Sequence, residues 1–312
     1  MLIEHALGNS RLDGTEIRVP ASVANLGPGF DTLAVAIKLY LCVKIRRVSP
    51  NQQGELNFEF IDQDFKGTNL IGTTFQKMAS LDEIRFPSLE IEVRSEIPIC
   101  AGLGSSAAAT VAGLRLYETV AGPQPIERLL RIASEIEGHP DNVSAALLGG
   151  LTNSCRTEEG SVLAIATPWP QSLRLVVLTP SITVETVNAR RVLPTVIPRA
   201  DVVFNLQRVA LLLQSLHKQD YKHFKEALCD RLHQPHRLSY VPGLKEALAL
   251  KHPDLLGVCL SGSGPSVVAF AEKNFKDIET LISSPFTKLD VAHEVRTLSV
   301  HQSSSSSQRV EK

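Results

Sequence analysis

The sequence predicts an α+β protein. From Leu33 to Ile45 the residues Leu33, Val35, Ile37, Leu39, Leu41, Val43 and Ile45 are all apolar and alternate without a break, the period of a long strand with one buried face. Leu89 to Arg94 alternates apolar and charged residues, and a glycine-rich turn then leads into an alanine-rich helical segment ending near Ala121, with Gly122 as its stop. Strands and helices mix along the rest of the chain, which fits α+β layering.

Residues 1–14 show little period and read as a loose lead-in. Thr15 to Val19 reads as a strand, Leu56 to Ile61 as an antiparallel neighbour of the long strand, and Asn69 to Ser80 as a helix capped by Asn69. Pro125 opens a helix to Glu137 whose apolar stripe is Ile126, Leu129, Leu130, Ile132 and Ala133. Gly138-His139-Pro140-Asp141-Asn142 breaks that pattern before a short helix, Val143 to Leu148, capped by Asp141 or Asn142. A strand near Leu151 to Cys155 follows Gly149-Gly150. Pro168-Trp169-Pro170 marks the domain junction, dividing residues 1–168 from 169–301.

Beyond the junction the pattern predicts a strand (Leu173 to Leu178), helices (about Val184 to Val192, Arg199 to Leu216, and near Tyr221 and Leu244) and strands at Leu255 to Leu260 and Val267 to Ala271. A helix (Phe275 to Ser283) and a strand (Ala292 to Leu298) end the folded part. Residues 302–312, with serine from Ser303 to Ser307, read as a low-complexity disordered tail.

A chain of 312 residues with 43% hydrophobic content can bury a sizeable core and split into two domains. A net charge of -1 gives no electrostatic footprint for nucleic acid or an anionic membrane. The five cysteines are scattered without zinc or CxxC spacing, which predicts reduced thiols in a cytoplasm. No charged-then-apolar leader and no 18-residue apolar run predict secretion or membrane insertion. The nine histidines form no metal spacing.

Three glycine-rich stretches concentrate the chemistry. The central one is Pro98-Ile99-Cys100-Ala101-Gly102-Leu103-Gly104-Ser105-Ser106-Ala107. Ser105 or Ser106 stands where an N-cap would, so free amides and the positive helix end face the turn, and Gly102 and Gly104 let an anion approach the backbone. That is a phosphate cradle by mechanism, though neither a Walker A loop nor Gly-x-Gly-x-x-Gly. Cys100 reads as a small packed hydrophobe. The others are Asn25-Leu26-Gly27-Pro28-Gly29-Phe30-Asp31, preceded by Pro20 to Ala24, and Ser261-Gly262-Ser263-Gly264-Pro265-Ser266.

In this order the three stretches resemble the signature motifs of the GHMP small-molecule kinases, and the first resembles that of the homoserine kinases. The resemblance runs from about Ile17 to Val300. It implies a two-domain GHMP kinase fold, with an N-terminal domain like ribosomal protein S5 domain 2 and a ferredoxin-like C-terminal domain, and a homodimer. It implies ATP and Mg²⁺, with Pro98 to Ala107 around the nucleotide, and transfer of a phosphoryl group to L-homoserine in threonine biosynthesis. The metal ligands would be Ser106 and a glutamate upstream of His139, where Glu137 matches the local pattern better than Glu135.

Thr186 and Arg190 in Thr186-Val187-Asn188-Ala189-Arg190, and Arg237 in Pro235-His236-Arg237, resemble substrate-holding segments. The two arginines would grip a carboxylate. Asn25, Asp31, His139, Asp141 and Asn142 would line the ammonium and hydroxyl side, with Asp31 against the ammonium. An amide at Asn142 cannot take a proton, so catalysis would rest on positioning, with Asp31 and Asp141 remaining as candidate bases. The third stretch would fold back and brace the cradle. Two alternatives stay open: a related kinase acting on mevalonate or a sugar, and a metabolite sensor without turnover.

Overall fold

A computed structural model of the chain describes residues 12–61, 67–182 and 186–309. In order, the first half contains β1 (Thr15–Ala24), β2 (Leu33–Gln53), β3 (Leu56–Phe60), α1 (Leu70–Leu81), β4 (Pro87–Ser95), α2 (Ser105–Ala121), α3 (Ile126–Glu137), α4 (Asp141–Leu148), β5 (Leu151–Arg156) and β6 (Val162–Thr167). The second half contains β7 (Arg174–Pro180), α5 (Thr186–Arg191), α6 (Arg199–Lys218), α7 (Phe224–Ala227), α8 (Gln234–Arg237), α9 (Leu244–Leu248), β8 (Gly257–Leu260), β9 (Val267–Ala271), α10 (Phe275–Lys288), β10 (His293–Leu298) and β11 (Ser306–Arg309). The lead-in expected over residues 1–14 lies outside the described residues up to residue 11, as does the start of the helix expected from Val184.

The alternating run makes β2 the spine of a seven-stranded sheet ordered β11-β1-β2-β4-β3, with β5 pairing β2 and β6. Its odd-numbered apolar residues are buried in one core with α1 and α2, while Lys38 and Arg46 on the other face are exposed. Near its start the second face is buried too, because Ala34 and Ala36 are small enough to lie against Ala145 of α4. Asn69 caps α1 as expected, its side chain accepting from Gly72 N at 3.1 Å.

The second sheet runs β10-β7-β9-β8, all antiparallel. Alternate residues of β7 serve different cores: Leu175 and Val177 join the main core, whereas Val176 and Leu178 meet Ile278, Ile282 and Phe286 of α10. Trp169, at the expected junction, is buried, donates Nε1–H to Leu173 O at 2.9 Å and packs 6.1 Å from Phe270. The main core is therefore continuous across both sheets.

Several expectations are corrected. Leu56–Phe60 does not pair antiparallel with β2; it pairs in parallel with β4, Leu56 opposite Leu89. A parallel pair needs a crossover longer than a hairpin turn, and α1 supplies it. Neither Ser105 nor Ser106 is the cap of α2: Gly104 is, at φ 71°, and the two serines form the helix's first turn. Likewise Asp141 and Asn142 lie inside α4, with Pro140 at its cap position. β6 was not expected, since Val162 to Ala166 is apolar without alternation; it is an edge strand with Leu163 and Ile165 exposed.

The serine tail is not disordered through residue 309. Ser306–Arg309 pairs antiparallel with Thr15–Arg18. Before it, Ser305 is buried and donates its amide to Leu147 O at 3.1 Å. The reason is that an open strand edge presents backbone donors and acceptors that any non-proline segment can satisfy. Ending the chain at Gln302 should lower the thermal midpoint by ~2–6 °C, since losing a short ladder and a buried serine costs roughly 1–2 kcal/mol in a protein of this size; a thermal melt of the truncated protein checks it.

Candidate active site

The turn after β4 is held by its neighbours. Ser22 N donates to Leu103 O at 3.0 Å, Ser266 N to Ala101 O at 3.1 Å and Ser261 Oγ to Gly102 O at 2.6 Å. A Cβ on Gly102 would lie 2.5 Å from Ser261 O and 2.7 Å from Gly264 O, and one on Gly104 would strike Ser22 Oγ. Both glycines are also at positive φ. With the carbonyls fixed, the first-turn amides of Ser105, Ser106 and Ala107 stand at a cleft of about 500 Å³. Ile99 and Cys100 are exposed on its rim, so Cys100, at φ 55°, is not the packed hydrophobe expected. Phe60, Leu70 and Ile71 give the cleft an apolar end.

Glu137 reaches the cleft from the end of α3. Its Oε1 accepts from Ser106 Oγ at 2.7 Å and from Thr110 Oγ1 at 2.9 Å. Glu135 faces elsewhere, bonded to Arg131 at 2.7 Å and 3.7 Å from Lys77. Two residues apart on a helix is about 200°, so only one of the pair can face α2. Thr110 was missed by sequence reasoning; its signal is the i,i+4 spacing from Ser106.

Gly138, left-handed at φ 85°, ends α3 and turns the chain into His139. His139 Nδ1 lies 2.6 Å from Asp141 Oδ1, which also accepts from Asn142 N at 2.7 Å; the Asn142 amide donates to Ser22 Oγ at 2.9 Å. Burial works against an imidazolium at His139, but the bond to Asp141 and the charges of Asp141 and Asp31 outweigh it and raise its pKa above 6.5. Polar atoms of Asp31, His139 and Asp141 lie within 4.8 Å of one another.

The loop between β1 and β2 presents Asp31, at φ 55°, to Arg190 in a two-pronged pair of 2.9 and 2.6 Å. Asn25 uses its amide inside the protein: Nδ2 donates to Gly262 O at 3.1 Å and Oδ1 accepts from Asp31 N at 3.1 Å. Arg237 is 2% exposed, with Nε donating to Ala189 O at 3.2 Å and Nη1 to Gly262 O at 2.9 Å. Burial and the like charge of Arg190 push its pKa down to about 10, so it remains a cation at neutral pH. The Phe30 ring, also missed by sequence reasoning, lies 5.4 Å from the Arg190 guanidinium and 5.6 Å from that of Arg237. Thr186 opens α5, and its side chain is outside the described residues. The remaining expected site residues converge on the one cleft, apart from Glu135 and the turn residues Pro98 and Leu103, which are not among its lining.

The chain is similar to known proteins. Residues 69–150 match the family described as GHMP kinases N terminal domain, and residues 212–284 that described as GHMP kinases C terminal. The homoserine kinase of Solibacter usitatus is 39% identical over 277 residues, 86% of this chain and 89% of its own length. That of Microchaete diplosiphon is 35% identical over 307 residues, 96% of this chain and 98% of its own. Among solved structures, homoserine kinase from Cytophaga hutchinsonii superposes with a TM-score of 0.82 at 25% identity, over 99% of this chain and 100% of that one. The chain belongs to the GHMP kinases, and within them to the homoserine kinase family. No helix among the described residues is long and apolar enough to cross a membrane.

The His139–Asp141 pair carries a pH signature. A folded-state pKa above the unfolded one stabilises fully below about pH 6.5, and that contribution is lost as pH rises through the raised value. The His139→Ala variant should therefore melt ~3–6 °C below the wild-type chain near pH 6, as expected for about 1.5 kcal/mol. The gap should narrow toward pH 9; melts across that range check it.

Proposed function

We propose that this cleft binds ATP at its apolar and glycine-rich end and L-homoserine at its charged end. The γ-phosphoryl group passes to the side-chain hydroxyl with ADP as leaving group and the hydroxyl proton going to the transferred phosphoryl group, giving O-phospho-L-homoserine for threonine biosynthesis. The observation that carries this reading is that the Ser106–Glu137 pair and the Asp31, Arg190 and Arg237 charges open into the same cleft. Such transfer needs little covalent chemistry from a protein; placement and charge stabilisation do most of it.

The amides of Ser105, Ser106 and Ala107 bond phosphate oxygens, helped by the positive end of α2. Ser106 Oγ and the Glu137 carboxylate are hard oxygen donors that suit Mg²⁺, which when bound neutralises charge on the phosphates. Thr110 holds Glu137 in place. Glu135, tied to Arg131 and Lys77, has no part in it.

The substrate is a zwitterion, and its two charges replace an existing pair. Asp31 takes the ammonium and Arg190 the carboxylate, with Arg237 as the second cation. Asp31 and Arg190 are about one-third exposed, and a pair that exposed is worth at most about 1 kcal/mol, so parting them is cheap. A ligand with a carboxylate alone would leave Asp31 unpaired. Asn142 orients the hydroxyl but cannot take its proton. Asp141 holds His139 and the backbone amide of Asn142 in position. The five cysteines are free thiols, in keeping with a cytoplasmic setting.

The test is ADP release with ATP and Mg²⁺ over L-homoserine, L-threonine, L-serine, 4-hydroxybutyrate and mevalonate. Turnover should be strongest on homoserine and at least tenfold weaker on 4-hydroxybutyrate; preference for mevalonate would overturn the substrate assignment. Arg190→Ala should raise the homoserine KM roughly 10- to 100-fold with the ATP KM unchanged, the loss expected of a two-pronged charged bond. Glu137→Gln should lower kcat by about 100-fold or more, while Glu135→Gln stays within about twofold of wild type; equal losses in the two would overturn the assignment of the carboxylate.

A further inference from the structure

His233 takes no part in the chemistry above, yet it is wholly buried beside the substrate end of the cleft. It precedes α8, in a segment organised by Asp230. The Asp230 carboxylate accepts from the amides of Leu232, His233 and Gln234 at 2.9, 3.0 and 2.7 Å and from Asn205 Nδ2 at 2.7 Å. The imidazole stacks on Phe30, centroids 5.3 Å apart. Its Nε2 lies 2.7 Å from Gly27 O, in the loop that carries Asp31, and its Nδ1 lies 3.0 Å from Arg237 Nη1.

Those two partners decide the proton. A backbone carbonyl only accepts and a guanidinium only donates, so Nε2 carries the hydrogen, Nδ1 is bare, and the ring is neutral. Asp230, Arg237 and Asp31 are the charged groups around it, and burial holds its pKa below the usual histidine value. The Arg237 fork is thus fixed by three neutral acceptors: Ala189 O, Gly262 O and His233 Nδ1. A carboxylate in the third place would orient Arg237 equally well and cancel its charge. A neutral nitrogen orients it without an ion pair, so the nearby Asp230 and Asp31 carboxylates act on it only through space.

We propose that His233 is a positioning residue for substrate specificity: as the Nε2–H tautomer it anchors the Asp31 loop through Gly27 and, as a neutral acceptor, aims Arg237 at the substrate carboxylate. This rests on the assignment of Arg237 to that carboxylate.

Replacing His233 by Asn, Leu or Asp separates the parts. All three lose the imidazole reach to Gly27. Asn offers a neutral oxygen near the place of Nδ1, Leu matches Asn in size without an acceptor, and Asp offers an acceptor with a charge. The homoserine KM should rise about threefold in Asn, the cost of the lost bond to Gly27, and at least about thirtyfold in both Leu and Asp. The ATP KM should move less than about twofold in all three. Equal homoserine KM values across the series, or an ATP KM rising in step with them, would overturn the proposal, the second because it marks general loosening. Should Leu not fold, the Asn–Asp comparison still decides. A long-range ¹⁵N–¹H spectrum of the wild-type protein reads the tautomer whatever alcohol it phosphorylates. A protonated Nδ1 at pH 7 would overturn the proposal, whereas a bare Nδ1 in a chain silent on homoserine would count against the substrate assignment alone.

Discussion

The backbone of Gly262 ties the cleft together. Its carbonyl accepts from Asn25 in the first glycine loop and from Arg237, while its amide donates to Ala24 O at 3.2 Å. One residue earlier, Ser261 Oγ holds the carbonyl of Gly102 in the cradle. Buried peptide groups that lack water must find partners, and here three turns distant in sequence supply them to one another. The closest approaches fall where a Cβ would collide with backbone, which is why Gly102 cannot be another residue without displacing Ser261 or Gly264. The cradle end and the charged end of the cleft are therefore braced by one set of bonds.

Two kinds of positive potential meet across that knot. At the cradle it comes from oriented amides of α2, a partial charge that cannot titrate or move. At the far end it comes from two guanidinium groups in different situations. Arg237 is buried and fixed by backbone and ring acceptors, whereas the Arg190 side chain is 37% exposed and paired with Asp31. Phe30 lies against both and against His233. A single ring thus sets the spacing of the two cations without contributing charge.

Much of this was legible locally. Alternation in β2 and β4, Gly122 after α2 and the Asn69 cap are signals within one turn or one strand. The Ser105 or Ser106 cap was misplaced by one or two residues because Gly104, tightly packed on Ser22, is held left-handed by a tertiary contact. The choice between Glu135 and Glu137 could have been read from the helix: Glu137 falls four after Ala133 and seven after Leu130, on the buried stripe, whereas Glu135 follows Arg131 and Arg128. The parallel pairing of β3 and the strand formed by Ser306–Arg309 were not legible, because an edge accepts whatever backbone reaches it. His233 carried no signal, since a buried ring between loops has neither period nor motif, and Phe30, though inside the first glycine stretch, had nothing local to mark its place between the two arginines.

The difference between the two arginines bears on how a small zwitterion can be held both selectively and reversibly. A fully preformed clamp would bury two unbalanced cations side by side, a costly arrangement at low dielectric. This chain buries only Arg237, whose pKa is depressed in consequence but stays far above neutral, and balances the more exposed Arg190 with Asp31. The Asp31–Arg190 pair is then close to charge-neutral, and in the proposed function the attraction for a carboxylate resides in the buried Arg237. In the proposed function, selectivity follows from the fixed cation and reversibility from the exposed pair, which reforms as the ligand leaves.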